Sequence, residues 1–370
     1  MLSAIELTNF RAHAHTTVPL TRFTLLVGEN ATGKTSVLEA VHLIGRWLDP
    51  SNREETFAGR WAPEFLRRQG VNGPAEMAVT GAAHDPWRFA IRFPLGSKLY
   101  DTEYTWSRGG AEKQGKLGEL NSPPHLAAIH EASTSLTPAP RLLSLDPRAI
   151  SQPAASDDLV PVLEPDGSGL ATVLKNLKVT DDEAYRRLVD AARTVVPSLS
   201  DLRFQRTRLT DRSPRVMTVE GQRVLVPDSR EYIADELLLK FADTDWLPAH
   251  AASEGTLLTL AILSLLIAPP APRVLLLEDL DRALHPRAQA DLITALRGAL
   301  ERQPDTQIIA TTHSPYLADH FEPDSVVVLG RTDGGPVVAR RLSDHPDRRL
   351  REALTTGEFL TASGPGWFWR

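Results

Sequence analysis

The chain alternates short apolar runs with amphipathic stretches, and the period of each run predicts the element that carries it. Ile5-Glu6-Leu7-Thr8-Asn9-Phe10 has the every-second-residue alternation of a strand, and Phe23 to Val27 is a continuous apolar run suited to a buried one. Ser36 to Trp47 has the three-to-four spacing of a helix. Trp87 to Phe93 and Tyr100 to Trp106 read as an antiparallel pair joined by a turn around Gly96, and the polar, glycine-rich stretch Gly109 to Pro124 reads as a surface loop. Residues 50–75 have weak periodicity, and Arg141 to Leu145 fits a further strand. Prolines among acids and small residues in 151–169 mark a lobe boundary. Beyond it, Gly169 to Leu177 and Asp182 to Val196 have helical spacing, while Leu202 to Leu209 and Val216 to Val226 return to strand alternation. Leu257 to Ile267 is an apolar helix stopped by Ala268-Pro269-Pro270. From Arg273 the pattern runs strand, helix (Pro286 to Glu301), strand (Gln307 to Thr311), short helix, strand (Ser325 to Leu329). That order is the signature of a parallel sheet with crossover helices, so the fold class is α/β.

Between the Phe23 strand and the Ser36 helix lies Gly28-Glu29-Asn30-Ala31-Thr32-Gly33-Lys34-Thr35, a complete G-x-x-x-x-G-K-[ST] sequence. Gly28 and Gly33 let the backbone curl so that successive N–H groups point inward, at phosphate oxygens. Lys34 offers a point charge for the β- and γ-phosphates, the Thr35 hydroxyl a ligand for Mg²⁺, and the helix its positive dipole end. The pattern therefore implies a nucleoside triphosphate, ATP or its kin, with Mg²⁺.

Three later segments carry groups that suit the same chemistry. Val274-Leu275-Leu276-Leu277-Glu278-Asp279 is a buried strand ending in two carboxylates, at the sheet edge where α/β proteins bind ligands. The first acid suits the metal and the second suits an attacking water; without the phosphate loop such a pair would read as a solvated turn. Ile308 to Thr312 leads to His313 just past the next core strand. Ala252-Ser253-Glu254-Gly255-Thr256 precedes the Leu257 helix, where Ser253 is a good N-cap and the free N–H groups suit phosphate.

Composition narrows the setting. The 370 residues suit one large lobed domain or two domains, and 42% apolar with 24% charged residues is ordinary for a globular chain. The longest apolar run, Leu257 to Ala268, is broken by Thr259 and Ser264, so no membrane span is expected. Met1 to Glu6 lacks the features of a signal peptide, and the absence of cysteine excludes disulfides and thiolate metal sites, which together favour a cytoplasmic location. A net charge of −6 does not advertise a nucleic-acid binder, although a local basic groove fits within that sum.

Taken together these segments resemble the ABC-type ATPases of the RecF and SMC branch, and among them stand-alone relatives of the ATPase half of OLD-family proteins. The resemblance rests on Ile5 to Arg11 followed by Leu26-Val27-Gly28-Glu29-Asn30, on Ser253-Glu254-Gly255-Thr256 as the ABC signature, on Glu278 to Pro286 as Walker B plus D-loop, and on His313 as the switch histidine. Asp146 to Pro153 and Asp166 to Leu170 are also similar to segments of such ATPases. It implies an ABC-ATPase head: a P-loop NTPase with a mixed β-sheet core lobe and an inserted helical lobe. Residues 1–150 would form the N-terminal part of the core, 151–250 the helical lobe and connecting strands, 251–342 the signature helix and C-terminal part of the core, and 343–370 a tail.

The same resemblance implies that Gly28, Asn30, Gly33, Lys34, Thr35, Ser36 and Arg11 bind ATP, that Thr35 and Glu278 hold Mg²⁺, and that Glu278, Asp279 and His313 are catalytic. Ser253, Glu254 and Gly255 would act in trans across a head-to-tail, ATP-dependent homodimer, with Asp281 in the D-loop and Gln152 as the Q-loop glutamine. The usual Walker B order is Asp then Glu; here Glu278 stands first and the shorter Asp279 takes the catalytic position, so slow turnover is expected. Only 57 residues follow His313, and Asp344, Asp347 and Glu352 make no Toprim-type acidic set, so any nuclease or other effector is expected on a separate polypeptide. The leading reading is the ATPase subunit of a nucleic-acid maintenance or phage-defence system. The alternatives are a RecF-type DNA-repair ATPase that clamps DNA directly and a scaffold that holds ATP without appreciable turnover. Trp367-Phe368-Trp369-Arg370 is apolar enough for a partner surface, or for folding back on the core.

Overall fold

A computed structural model describes residues 1–53, 55–81, 85–94, 102–116, 123–211, 215–219, 222–226, 229–331, 335–347, 349 and 353–363. They form two compact units, residues 1–143, 270–293 and 300–370 in the first, and 144–269 with 294–299 in the second.

The first unit opens with strands β1 (Leu2–Phe10), β2 (His13–Pro19) and β3 (Phe23–Gly28), then helix α1 (Lys34–Leu48) and a short α2 (Pro63–Leu66). Strands β4 (Ala75–Gly81), β5 (Trp87–Phe93), β6 (Glu103–Arg108) and β7 (Ala111–Lys116) follow, then α3 (Pro123–Leu136) and β8 (Arg141–Leu143). In the second unit lie α4 (Pro147–Ile150), α5 (Leu170–Thr180), α6 (Asp182–Val195), β9 (Leu199–Asp211), β10 (Arg215–Val219), β11 (Gln222–Val226), β12 (Arg230–Phe241), β13 (Leu247–Pro248) and α7 (Glu254–Ile267). The chain returns with β14 (Val274–Leu277), α8 (Pro286–Glu301), β15 (Gln307–Thr311), α9 (Pro315–Ala318), β16 (Val326–Arg331), β17 (Val337–Arg341) and α10 (Thr356–Ser363).

Two six-stranded sheets organise the first unit. One is antiparallel, in the order β2-β1-β4-β5-β6-β7; the other runs β17-β16-β3-β15-β14-β8, parallel except for the β17 edge. The parallel strands are buried along nearly their whole length, as sheets covered on both faces require. The apolar side of α1, with Val37, Val41, Ile44 and Leu48 at helical spacing, joins a core that includes Trp47, Phe89, Tyr104 and Trp106. Because β14, β15 and β3 are neighbours, three strand ends open on the same edge of one sheet. The chain thereby gathers segments far apart in sequence.

In the second unit β9 and β12 pair over their whole length, and α5 and α6 supply a helical layer. Asp181 caps α6 by accepting the Ala184 N–H at 2.9 Å, and Ala184, Tyr185, Leu188, Val189, Ala192 and Val195 make its buried stripe. Helix α7 is buried on all sides from Thr256 to Leu266, which explains its almost unbroken apolar sequence.

Several expectations need correction. Gly109 to Pro124 is not simply a loop: Ala111–Lys116 pairs with β6, and Pro123 begins α3. Most β7 side chains face water, so backbone hydrogen bonds define the strand while the hydrophobic pattern stays silent. The described residues of Val216 to Val226 fall in two strands paired antiparallel rather than one. The second unit begins at Ser144, ahead of the proline-rich stretch, and includes α7. The turn around Gly96 and the Trp367-Phe368-Trp369-Arg370 tail lie outside the described residues.

Candidate functional site

Gly28 ends the central strand β3 at φ 150°, and a Cβ there would stand 2.3 Å from the Leu329 carbonyl oxygen of the neighbouring strand. Gly33 is the N-cap of α1 at φ 86°, and it has no side chain to cap the first turn, which also carries no acid. The loop between them is held by the Thr32 hydroxyl, which donates to Glu29 O at 2.8 Å. Ala31 at its tip adopts the left-handed region at φ 63°, a conformation disfavoured for a residue with a Cβ. Asn30 and Thr35 are exposed, and Ser36 is buried on α1. The result is a curled backbone feeding a helix whose first N–H groups have no side-chain cap.

Lys34 folds over that curl, its ammonium donating to Gly28 O at 2.8 Å and Glu29 O at 3.0 Å. Burial pushes its pKa below the ordinary lysine value, while the Asp279 and Asp281 carboxylates act in the opposite direction. The Lys34 ammonium thus lies in the field of the carboxylates that follow β14, while its hydrogen bonds go to the loop carbonyls.

Glu278 follows the last residue of β14, with its N–H donating to Leu143 O at 3.3 Å. Asp279 sits at φ 49°, which Asp accepts more readily than most residues, and its N–H donates to Thr311 Oγ1 at 2.9 Å. The turn aims the Asp279 carboxylate at the end of β15, where Oδ1 lies 3.8 Å from His313 Nε2. Asp281 Oδ1 accepts from the Thr312 hydroxyl at 2.5 Å and from the His313 N–H at 3.2 Å. Ser314 Oγ then donates to Gln289 Oε1 on α8 at 2.9 Å, and buried Gln289 donates back to Leu284 O at 3.0 Å. Thr312, Ser314 and Gln289 were not singled out from sequence. Their role is to hold the His313 segment against the turn, and only the pairing of β14 with β15 makes them neighbours.

The fold brings Gly28, Gly33, Lys34, Thr35, Glu278, Asp279, Asp281 and His313 to one edge. Arg11 lies in the same unit, with its guanidinium paired to the buried Glu39 on α1. Trp61 Nε1 reaches the other oxygen of Glu39 at 3.5 Å. A residue missed by the sequence reading is His13, fully buried, whose Nε2 lies 3.1 Å from Gly33 O. Its ring leaves no room for a Cβ at Gly33, the built atom falling 2.4 Å from Nε2.

In the second unit Ser253 is the N-cap of α7, its Oγ accepting the Thr256 N–H at 3.3 Å, and Ser253 and Glu254 are exposed. The Thr259 hydroxyl donates to Gly255 O at 2.7 Å. Gln152, exposed just beyond α4, donates from Nε2 to Arg148 O at 3.3 Å. Among the described residues no group of three or more His, Asp or Glu is placed to hold a metal ion, and no helix is long and apolar enough to cross a membrane.

Comparison with known proteins bears on the family and the fold. The family described as "AAA domain, putative AbiEii toxin, Type IV TA system" matches residues 23–319. A 69-residue stretch is 36% identical to the Septu protein PtuA of Bacillus thuringiensis, covering 19% of this chain and 17% of that protein. The SMC head bound to the C-winged helix domain of ScpA superposes with a TM-score of 0.60 at 13% identity, covering 93% of this chain and 99% of that one. The SMC head with an extended coiled coil, bound to the C-terminal domain of ScpA derived from Pyrococcus furiosus, gives 0.54 at 12% identity, with 93% and 97% covered. The fold is that of the SMC head.

Proposed function

The chain belongs to the family described as "AAA domain, putative AbiEii toxin, Type IV TA system", and we propose that it is an ATP-dependent, dimerising ATPase switch that acts with a separate effector. The observation that carries this reading is the convergence of the Gly28–Thr35 loop, the Glu278-Asp279 pair and His313 on the ends of three adjacent strands. The loop fits a triphosphate: Gly28 and Gly33 occupy backbone conformations and close contacts that no side chain would tolerate. Thr35 and Glu278 would hold Mg²⁺, which needs few protein ligands when phosphates supply others.

In this reading Lys34 holds the β- and γ-phosphate oxygens and the first N–H groups of α1 receive them. Bound ATP would supply the γ-phosphoryl group, and Mg²⁺ held by Thr35 and Glu278 would supply charge neutralisation for its oxygens. Asp279 orients a water and takes its proton, and His313, within reach of Asp279, faces the γ-phosphate from the neighbouring strand end. An Asp at this position is one methylene shorter than Glu and holds water less closely, so the proposed turnover is slow. Ser253, Glu254 and Gly255 present the α7 N-terminus to the triphosphate of the partner copy, and hydrolysis reopens the dimer.

The toxin–antitoxin wording of the family and the match to a Septu protein support a phage-defence or nucleic-acid maintenance setting. The deciding experiment is Asp279→Asn. It is expected to bind ATP, to hydrolyse it ~100-fold more slowly, and to accumulate as a dimer on a sizing column with ATP and Mg²⁺. Parent-like turnover in Asp279→Asn beside a dead Glu278→Gln would move the base role to Glu278.

A further inference from the structure

We propose that His13 is a positioning residue for the phosphate loop: through Nε2 it holds the Gly33 carbonyl, and with it the direction in which the Lys34 N–H leaves the loop. The inference rests on the ATP-binding reading above and deepens it. Gly33 C=O and Lys34 N–H belong to one planar peptide and point opposite ways, so an atom that fixes one fixes the other. Gly33, at φ 86°, has no Cβ of its own to oppose turning that peptide over. His13 opposes the turn twice. Its Nε2 is 3.1 Å from Gly33 O, and its ring fills the space beside the Gly33 Cα so closely that a built Cβ falls 2.4 Å from Nε2 and 3.0 Å from Cε1.

The proton inventory fixes how this works. A carbonyl only accepts, so Nε2 carries the hydrogen. Nδ1, 3.1 Å from Thr16 Oγ1, is then an acceptor, while the Thr16 hydroxyl also lies 2.8 Å from Val337 O on β17. Thr16 has one proton for two acceptors, and His13, fully buried, sits between the hairpin β1–β2 and the loop. His13 thus joins the phosphate loop to the β1–β2 hairpin through Gly33 O, and the single Thr16 proton is shared between His13 Nδ1 and Val337 O on β17.

Asn and Gln separate the two ring nitrogens. An Asn amide reaches the place of Nδ1 and keeps the Thr16 contact, whereas a Gln amide reaches the place of Nε2 and keeps the Gly33 contact. ADP titrated calorimetrically into the full chain reads the loop without hydrolysis. H13N is expected to weaken ADP and ATP alike by about three- to tenfold, the worth of one net hydrogen bond, and H13Q to stay within about twofold of the parent. The turnover number at saturating ATP stays within about twofold in both, because the loop and not the water is affected. H13N binding like the parent, or H13Q losing as much as H13N, overturns the proposal. Should H13N not fold, Thr16→Val decides: it leaves the ring without its second partner and is expected to weaken ADP by about twofold or more, and unchanged affinity overturns the role. A parent chain that binds neither nucleotide removes the ATP reading itself, whereas a binding parent with unaffected variants removes only the role of His13.

Discussion

The backbone N–H of His313 donates to the carboxylate of Asp281 at 3.2 Å, tying the end of β15 to the turn that follows β14. The same oxygen takes the Thr312 hydroxyl, so one carboxylate sets both the height and the direction of the His313 segment. Asp281→Ala is expected to leave ATP affinity within about threefold and to lower the turnover number by roughly tenfold to a hundredfold, the cost of a misplaced group near the reacting atoms. Steady-state kinetics beside calorimetric affinities check it. A loss confined to affinity would mean that Asp281 serves the nucleotide and not His313.

Lys34→Ala removes the ammonium that bridges Gly28 O and Glu29 O and that lies in the field of Asp279 and Asp281. Loss of a charge-assisted contact predicts ATP binding weaker by at least ~10-fold, with the melting temperature in the absence of nucleotide little changed. Equal calorimetric affinity in variant and parent would contradict the assignment of the phosphate loop.

The site was legible where its chemistry is local. The Gly28–Thr35 loop, the apolar strand before Glu278 and the N-cap at Ser253 each lie within a few residues, and each stands where its pattern placed it. What could not be read is long-range. Thr312 and Ser314 gain meaning only because β14 pairs with β15, and His13 only because the β1–β2 hairpin packs its buried ring against Gly33. Strand β7 escaped because its side chains are mostly exposed and leave no period-2 pattern, and α3 because its buried positions, Ala128, Ile129, Ala132 and Leu136, are spread among serine, threonine and glutamate.

Two buried histidines predict a pH dependence of stability. Burial lowers the pKa of His42, on α1, to about 4, with Arg46 adding to the shift, and burial lowers His13 to about 4 as well. The unfolded chain, with its histidines near the ordinary 6.5, therefore binds more protons between about pH 6.5 and 4, and the stability these groups contribute is complete above that window and lost as pH falls through it. For His42 the loss is about 1–2 kcal/mol on going from pH 7 to 5. Urea midpoints of the parent and of His42→Phe at the two pH values check this: the variant should fall less. Equal slopes would place the neutral-histidine account of α1 in error.

The most direct test of the switch uses two inactive variants together. Lys34→Ala spoils the phosphate loop and Ser253→Arg the N-terminus of α7, and each alone should abolish hydrolysis because every site in the proposed homodimer would be damaged. If the sites are shared between copies, a mixed dimer keeps one intact loop opposite one intact α7 N-terminus. Equal mixing should then restore roughly a quarter of parent ATPase activity, half the dimers being mixed and each having one working site of two. Recovery at that level is what the shared-site account predicts, and a mixture no more active than either variant alone would contradict it.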